Sequence, residues 1–183
     1  PSDTVARGPA VVSAADPRAA DAGLLMLKQG GNAADAIVAT MIALTVAEPQ
    51  SSGLGGGGFL VWHDAKTGRT WSIDAREKAP ASASSTRFLN PDGKPMAFLE
   101  AVAGGYSVGV PGTVAMAAEI HRRWGSLPWK TLFEPAIALA RDGVAITDRG
   151  RQMIAARREL LAASPKAAAI SIRRANRGRL AIC

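Results

Sequence analysis

The chain has 183 residues, 48% of them hydrophobic and 20% charged, which is enough for one domain with a real core and too apolar for a disordered segment. Its net charge of +7 is concentrated at one end: nine Arg and Lys from Arg149 onward face Glu159 alone, a local +8 that leaves −1 for the first 148 residues. No aromatic residues interleave with that basic stretch, so it predicts a solvated helix face and a basic tail, and it argues against a nucleic-acid surface.

The single cysteine, Cys183, permits no intrachain disulfide and no cysteine metal cluster. The apolar run Ala36–Val46 is far shorter than a membrane span. The sequence as given shows no signal peptide, and its start at Pro1-Ser-Asp3 resembles a processed chain.

In chain order, Val11–Ala15 suggests a short strand. Asp16-Pro17 is a helix start, with Asp at the N-cap and Pro in the first turn, where its missing N–H costs nothing. The helix is expected over Pro17–Lys28, with Ala20, Leu24 and Leu27 on one face that Leu25 and Met26 widen, and Gln29-Gly30-Gly31 ends it. Asn32 is the candidate N-cap of a second helix, Ala33–Val46, with Asp35 in its first turn. That helix is apolar nearly all round, which predicts burial between layers. Glu48-Pro49 closes it.

A glycine-rich turn, Ser51–Gly58, then opens two short apolar-alternating segments, Phe59–His63 and Thr70–Asp74, with a turn at Lys66-Thr67-Gly68. Phe59 and Val61 on one side and Leu60 and Trp62 on the other are all apolar, which predicts a strand covered on both faces. Residues 81–110 read as an irregular excursion. Three further helices are expected: Thr113–Trp124, Trp129–Arg141 and Arg149–Ala163. Met116, Ile120 and Trp124 point inward from the first. Leu132, Phe133, Ala136, Ile137 and Ala140 do so from the second. Thr147 or Asp148 caps the third. Two strands cannot form a sheet stable enough to carry these helices, so the hairpin must be completed by another chain or by further sequence.

Several residues could carry chemistry. Gly55–Gly58 with Ser51 and Ser52 either cradles an anion through backbone N–H groups or forms a tight turn that allows close backbone approach. It lacks the Gly-Lys-Ser/Thr of a phosphate loop, and it opens a strand rather than a helix. Arg76 follows the second strand in an Asp-Ala-Arg-Glu cluster. It could clamp a substrate carboxylate bidentately, or form a salt bridge with Asp74 or Glu77. Asp74 and Glu77 could also act as a carboxylate pair, although their spacing does not aim them at a common substrate. His63 and His121 are the only histidines. Neither has a recognisable nucleophile beside it, two are too few for a His-rich metal site, and both read as structural. No metal or cofactor site is expected.

From Val12 to about Ile170 the chain resembles the front of the large subunit of gamma-glutamyltransferases. The matching blocks are Gly30-Gly-Asn-Ala33 with Asp35-Ala36, Glu48-Pro-Gln-Ser-Ser-Gly53, Gly55-Gly-Gly-Gly-Phe59 and Asp74-Ala-Arg-Glu-Lys-Ala-Pro80. Val108-Gly-Val-Pro-Gly112, Leu127-Pro-Trp129, Glu134-Pro-Ala-Ile137 and Ala140-Arg-Asp-Gly143 follow in the same order. The resemblance implies an α+β fold that is part of a four-layer αββα sandwich of the N-terminal-nucleophile hydrolases. Here that means mainly helices plus one central hairpin. Residues 1–170 then correspond to the N-terminal portion of the large subunit, and residues 171–183 form a basic tail unlike the family pattern.

The family's function would follow: a precursor that cuts itself into two subunits, in the periplasm or secreted, and acts on glutathione. A threonine at the new N-terminus of the small subunit takes the gamma-glutamyl group as an acyl-enzyme, then passes it to water, an amino acid or a peptide. None of the threonines here falls in a matching position, so the nucleophile is expected on a partner and this chain alone should be inactive. The family's carboxylate-binding arginine falls on Arg76, with Asp74 and Glu77 supporting it. Alternatives are a cephalosporin acylase of the glutaryl type and a non-catalytic fragment or scaffold subunit. The expected partners are the small subunit and a gamma-glutamyl small molecule, without nucleic acid and without a membrane span.

Overall fold

A computed structural model describes residues 10–102 and 104–169, and the backbone of residues 179–180. The first helix, α1, spans Pro17–Lys28, and the second, α2, spans Ala33–Ala47. Asp16 caps α1 through its Oδ1, which accepts from the Arg18 N–H at 2.9 Å. Asn32 and Asp35 form a reciprocal capping box at the start of α2: Asn32 Oδ1 accepts from Ala34 and Asp35, and Asp35 Oδ2 accepts from the Asn32 N–H. Each device satisfies N–H groups that a helix start would otherwise leave open.

Helix α2 is the centre of the core. Ala34, Val38, Ala39, Ile42, Ala43 and Val46 are buried in one cluster with residues of α1, of α4 (Thr113–Trp124) and of α5 (Glu134–Asp142). The all-round apolar pattern thus gives burial over most of the helix, with Ile37 exposed and Met41 and Leu44 half-buried on the remaining face. The inward face of α1 matches the expected one only at Met26. Ala19, Ala22 and Gly23 are buried with it, whereas Ala20, Leu24 and Leu27 are only half-buried and Leu25 is exposed. Close approach of the helices decides this. A Cβ at Gly23 would overlap Thr40 Oγ1 and lie 3.0 Å from the Ala36 carbonyl oxygen. Ala19, Ala22 and Gly23 therefore allow the close approach to α2, Met26 fills the core beside them, and the leucines flank the contact.

Two strands, β1 (Phe59–Asp64) and β2 (Arg69–Asp74), pair antiparallel, with Phe59 opposite Asp74 and Trp62 opposite Trp71. One face packs on the core through Leu60, Trp62 and Ile73. Trp62 stacks on Trp124 of α4 with centroids 4.8 Å apart and planes 13° from parallel, a geometry worth about 0.5–1.5 kcal/mol beyond its buried area. The other face is bare: Phe59 is 67% and Val61 73% exposed. The expectation of a strand covered on both sides is therefore not met among the described residues, none of whose elements lies over that face.

Five further expectations are corrected. Val11–Ala15 forms no strand. The excursion contains a short helix, α3 (Phe98–Val102). The expected Trp129–Arg141 helix begins as a 3-10 turn, Trp129–Phe133, and becomes α-helical only at Glu134. Within it Ile137 is 58% exposed rather than inward. Thr147 caps α6 (Asp148–Ala156), as one of the two expected candidates, but the expected Arg149–Ala163 helix breaks at Arg157 and resumes as α7 (Arg158–Ala162). Between α5 and α6, β3 (Val144–Ala145) pairs antiparallel with β4 (Arg179–Leu180). No described helix is long and apolar enough to cross a membrane.

A buried carboxylate ties this frame together. Asp35 is fully buried and accepts from Ser126 Oγ at 2.7 Å, from Ser126 N–H at 3.1 Å and from Leu127 N–H at 3.2 Å. The start of α2 is thereby fixed to the turn after α4. Asn32 Nδ2 adds a bond to the Trp124 carbonyl at 2.7 Å.

Candidate functional site

The hairpin does not end at Asp74. Ala75 exchanges backbone hydrogen bonds with Gly58, at 3.0 and 3.2 Å, so the ladder continues into the glycine turn. Beyond it, Lys78 pairs with Val110 in an antiparallel bridge, with N–H···O distances of 2.8 and 3.3 Å. The segment carrying Arg76 is thus held from both sides, by the turn before β1 and by the loop before α4.

Glycine makes this possible. A Cβ at Gly57 would overlap the Ala75 carbonyl oxygen and lie 2.9 Å from both Arg76 Cα and Glu77 N. A Cβ at Gly112 would overlap the same oxygen, and one at Gly109 would lie 2.9 Å from Glu77 Cβ. The Gly56 carbonyl accepts from Gly112 N–H at 2.9 Å and Thr113 N–H at 3.0 Å, and Thr113 Oγ1 donates to the Gly53 carbonyl at 3.2 Å. Within the glycine run, Gly57 makes the close backbone approach, and the N–H groups of Gly56 and Gly58 are engaged by the Gly53 and Ala75 carbonyls.

From this frame the Arg76 side chain emerges 65% exposed, with Nε 3.5 Å from Glu77 Oε2. Asp74 acts on the backbone: its Oδ1 accepts from the Arg76 N–H at 3.0 Å, closing a local turn. The two carboxylates therefore do different things. Glu77 sits beside the guanidinium, and Asp74 shapes the chain that presents it. A guanidinium on a rigid stem with most of its donors open to solvent can accept a carboxylate bidentately.

Arg76 and Glu77 line two spaces. One is an open cleft of about 620 Å³ bounded by Lys78, Arg87, Tyr106 and Gly109. The other is a groove of about 650 Å³ between the glycine turn, α2 and the bare face of β1. Both are in the range of small-molecule sites, roughly 300–1,000 Å³. Arg87 is fixed in the wall of the first: its Nε donates to the Tyr106 carbonyl at 2.7 Å and its guanidinium lies 5.7 Å from the Tyr106 ring centre.

The histidines lie apart from this site. His63 Nδ1 is 3.0 Å from Thr70 Oγ1 across the hairpin, and His121 Nε2 is 2.8 Å from the Leu127 carbonyl. Among the described residues no three His, Cys, Asp or Glu side chains are grouped to hold a metal ion. The sequence singled out Arg76 as a candidate but not Gly109 and Gly112 as the far side of its frame, nor Lys78, Arg87 and Tyr106 as cleft walls. The paired glycines of Val108-Gly-Val-Pro-Gly112 were the available signal.

Among known families, the one described as gamma-glutamyltranspeptidase matches residues 19–180. A glutathione hydrolase proenzyme of Bacillus subtilis is 47% identical over 136 residues, which is 74% of this chain and 23% of that protein. The chain therefore spans about a quarter of the length of that relative. The crystal structure of Helicobacter pylori gamma-glutamyltranspeptidase superposes with a TM-score of 0.84 at 35% identity, covering 90% of this chain and 46% of that one. A cephalosporin acylase from Bacillus halodurans superposes with a TM-score of 0.66 at 32% identity, covering 86% of this chain and 30% of that one.

Proposed function

The chain belongs to the gamma-glutamyltranspeptidase family, and from that premise we propose that it is part of an enzyme that hydrolyses glutathione and transfers its gamma-glutamyl group. Arg76 binds the α-carboxylate of the gamma-glutamyl moiety, Glu77 steadies the guanidinium and Asp74 sets the turn. The observation that carries this reading is the frame around Arg76. Glycines on two separate loops crowd its backbone, while its side chain stays open on the wall of two ligand-sized spaces.

The nucleophile is a threonine on a partner subunit. Its hydroxyl attacks the gamma-amide carbon, and its own α-amine takes the proton. A threonine ester forms, the amide C–N bond breaks and the protonated amine leaves. Water or a second amine then attacks the ester and frees the threonine. Arg76 lies at the far end of the acyl group and works by placing the reacting carbon. The bare face of β1 supports the need for a partner, since an exposed apolar face on an isolated hairpin calls for covering strands. By family, the enzyme is a self-cleaving precursor of the periplasm or the exterior.

A glutaryl-type cephalosporin acylase is the second reading, favoured by the fold similarity to the Bacillus halodurans enzyme. Both acyl groups end in a carboxylate, so Arg76 serves either. A non-catalytic scaffold is the third. The test is Arg76→Ala in the enzyme assembled with its threonine-bearing partner, following release from a gamma-glutamyl anilide. A carboxylate contact closed off from water is worth about 2–5 kcal/mol in kcat/KM. Unchanged kcat/KM would refute the assignment.

A further inference from the structure

The frame around Arg76 has a side-chain anchor as well as its glycines. Thr113, the first residue of α4, is 5% exposed and lines the groove that Arg76 and Glu77 also line. Its N–H and that of Gly112 both donate to the Gly56 carbonyl, and its Oγ1 donates to the Gly53 carbonyl at 3.2 Å. The Gly53 carbonyl accepts from Gly56 N–H as well, at 3.3 Å. Both ends of the Gly53–Gly56 turn are therefore tied to one residue, 60 positions from Gly53. Packing does not hold this turn: a Cβ at Gly53 or at Gly55 would meet nothing within 4 Å. A glycine backbone in open space has the widest choice of conformations, so hydrogen bonds must select one.

The position of the turn is passed on to the site. Gly57 follows it directly and stands against the Ala75 carbonyl oxygen, Arg76 Cα and Glu77 N, with no room for a Cβ. A Cβ at Gly56 would lie 3.4 Å from Glu77 Oε1 and 3.9 Å from Thr113 Oγ1, so the Gly56 backbone runs close to both side chains. A turn free to shift carries Gly57 with it and loosens the stem of Arg76. We infer that Thr113 is a positioning residue for the carboxylate clamp: its hydroxyl fixes the glycine turn, and through Gly57 the turn fixes Arg76. Thr113 acts through Arg76 and not on the substrate. The inference rests on the Arg76 reading above and adds to it an uncharged residue from a separate segment of the chain.

The experiment uses the enzyme assembled with its threonine-bearing partner. Thr113→Val keeps the shape of the side chain and removes the hydroxyl, and Thr113→Ser keeps the hydroxyl. Two donors are compared: gamma-glutamyl-4-nitroanilide, and 4-aminobutyryl-4-nitroanilide, which lacks only the α-carboxylate. The readout is the ratio of their kcat/KM values, because a smaller folded fraction or weaker assembly lowers both alike. In Thr113→Val that ratio falls about fivefold, the scale of one neutral hydrogen bond. Thr113→Ser keeps the ratio within about twofold of wild type. A fall of less than about twofold in Thr113→Val overturns the inference, as does an equal fall in the serine and valine variants. Should the valine variant fail to assemble, Thr113→Ala removes the same hydroxyl without a second methyl group and is judged by the same ratio. Failure of the Arg76 reading is seen separately, as a wild-type ratio in Arg76→Ala. A ratio lost in Arg76→Ala but kept in Thr113→Val leaves the clamp standing and refutes the role of Thr113.

Discussion

Placing a methyl group at Gly112 tests the frame around Arg76 directly. The new Cβ would overlap the Ala75 carbonyl oxygen and lie 2.8 Å from the Ala75 carbonyl carbon and 3.3 Å from its Cα. Carbon contacts settle at about 3.5–4 Å, so one of the two backbones must retreat by roughly 1 Å. Neither obstacle is a side chain that could swing aside. Overpacking of this kind costs about 1–3 kcal/mol, or roughly 2–12 °C in Tm for a chain of this size. Because the residue displaced is the one before Arg76, a shift of about 1 Å at the acyl end should lower kcat/KM by on the order of 100-fold. Gly112 is also the N-cap of α4. Gly57→Ala supplies the same collision away from any helix start, against Ala75 O, Arg76 Cα and Glu77 N. Gly53→Ala is the control: nothing lies within 4 Å of its Cβ, and stability should change by no more than about 0.5 kcal/mol. Thermal unfolding is measured on all three, and gamma-glutamyl anilide turnover on the same variants assembled with the proposed threonine-bearing partner. If Gly57→Ala and Gly112→Ala melt and turn over like wild type, glycine is not what positions Arg76.

Two other outcomes are expected. Burial alone would raise the Asp35 carboxyl, but the hydrogen bonds from Ser126 Oγ and from the N–H groups of Asn32, Ser126 and Leu127 outweigh it and hold it below its ordinary value of 3.8. A carboxylate lowered in the folded state contributes stability that is full above the unfolded pKa and lost as pH falls through the folded one. The stability gap between wild type and Asp35→Asn should therefore be level at neutral pH and close below about pH 4, as read from denaturant midpoints across a pH series; a gap that persists unchanged to pH 2 would contradict the network. Val61→Lys changes a residue that is 73% exposed, so it should alter the stability of this chain by less than about 0.5 kcal/mol yet reduce association with the threonine-bearing partner, as followed by size-exclusion chromatography. Undiminished association would show that the bare strand face is not where the partner packs.

Much of the local structure was legible because it is set by neighbours in sequence. Asp16-Pro17, Asn32 with Asp35, and Thr147 each offer a side-chain acceptor to N–H groups two or three residues on, and each starts a helix in the structure. The alternation in Phe59–His63 and Thr70–Asp74 was enough to find the hairpin. Periodicity was less reliable for α1, where it favoured the large residues. Helix–helix distance selected Ala19, Ala22 and Gly23, because Gly23 lets α2 come close enough to exclude a leucine between them, and of the large residues only Met26 is buried. The break at Arg157 was also hidden, since it sits in a stretch whose composition suits a continuous helix; the change from 3-10 to α at Glu134 was signalled by Pro135, which belongs in a first turn rather than in a helix interior.

The same division applies to the site. By itself the sequence determined the family, through ordered blocks that include Asp74-Ala-Arg-Glu, and it singled out Arg76 as the cation worth testing. It left the role of the glycines open, because a glycine's freedom is local but the backbone it admits comes from elsewhere. Tertiary structure alone brought Gly57 and Gly112, 55 positions apart, against one carbonyl oxygen. It also placed Lys78 and Arg87 around the cleft that Arg76 lines, and left Phe59 and Val61 uncovered. Those relations depend on which segments meet in space, and no pattern within a single segment encodes that.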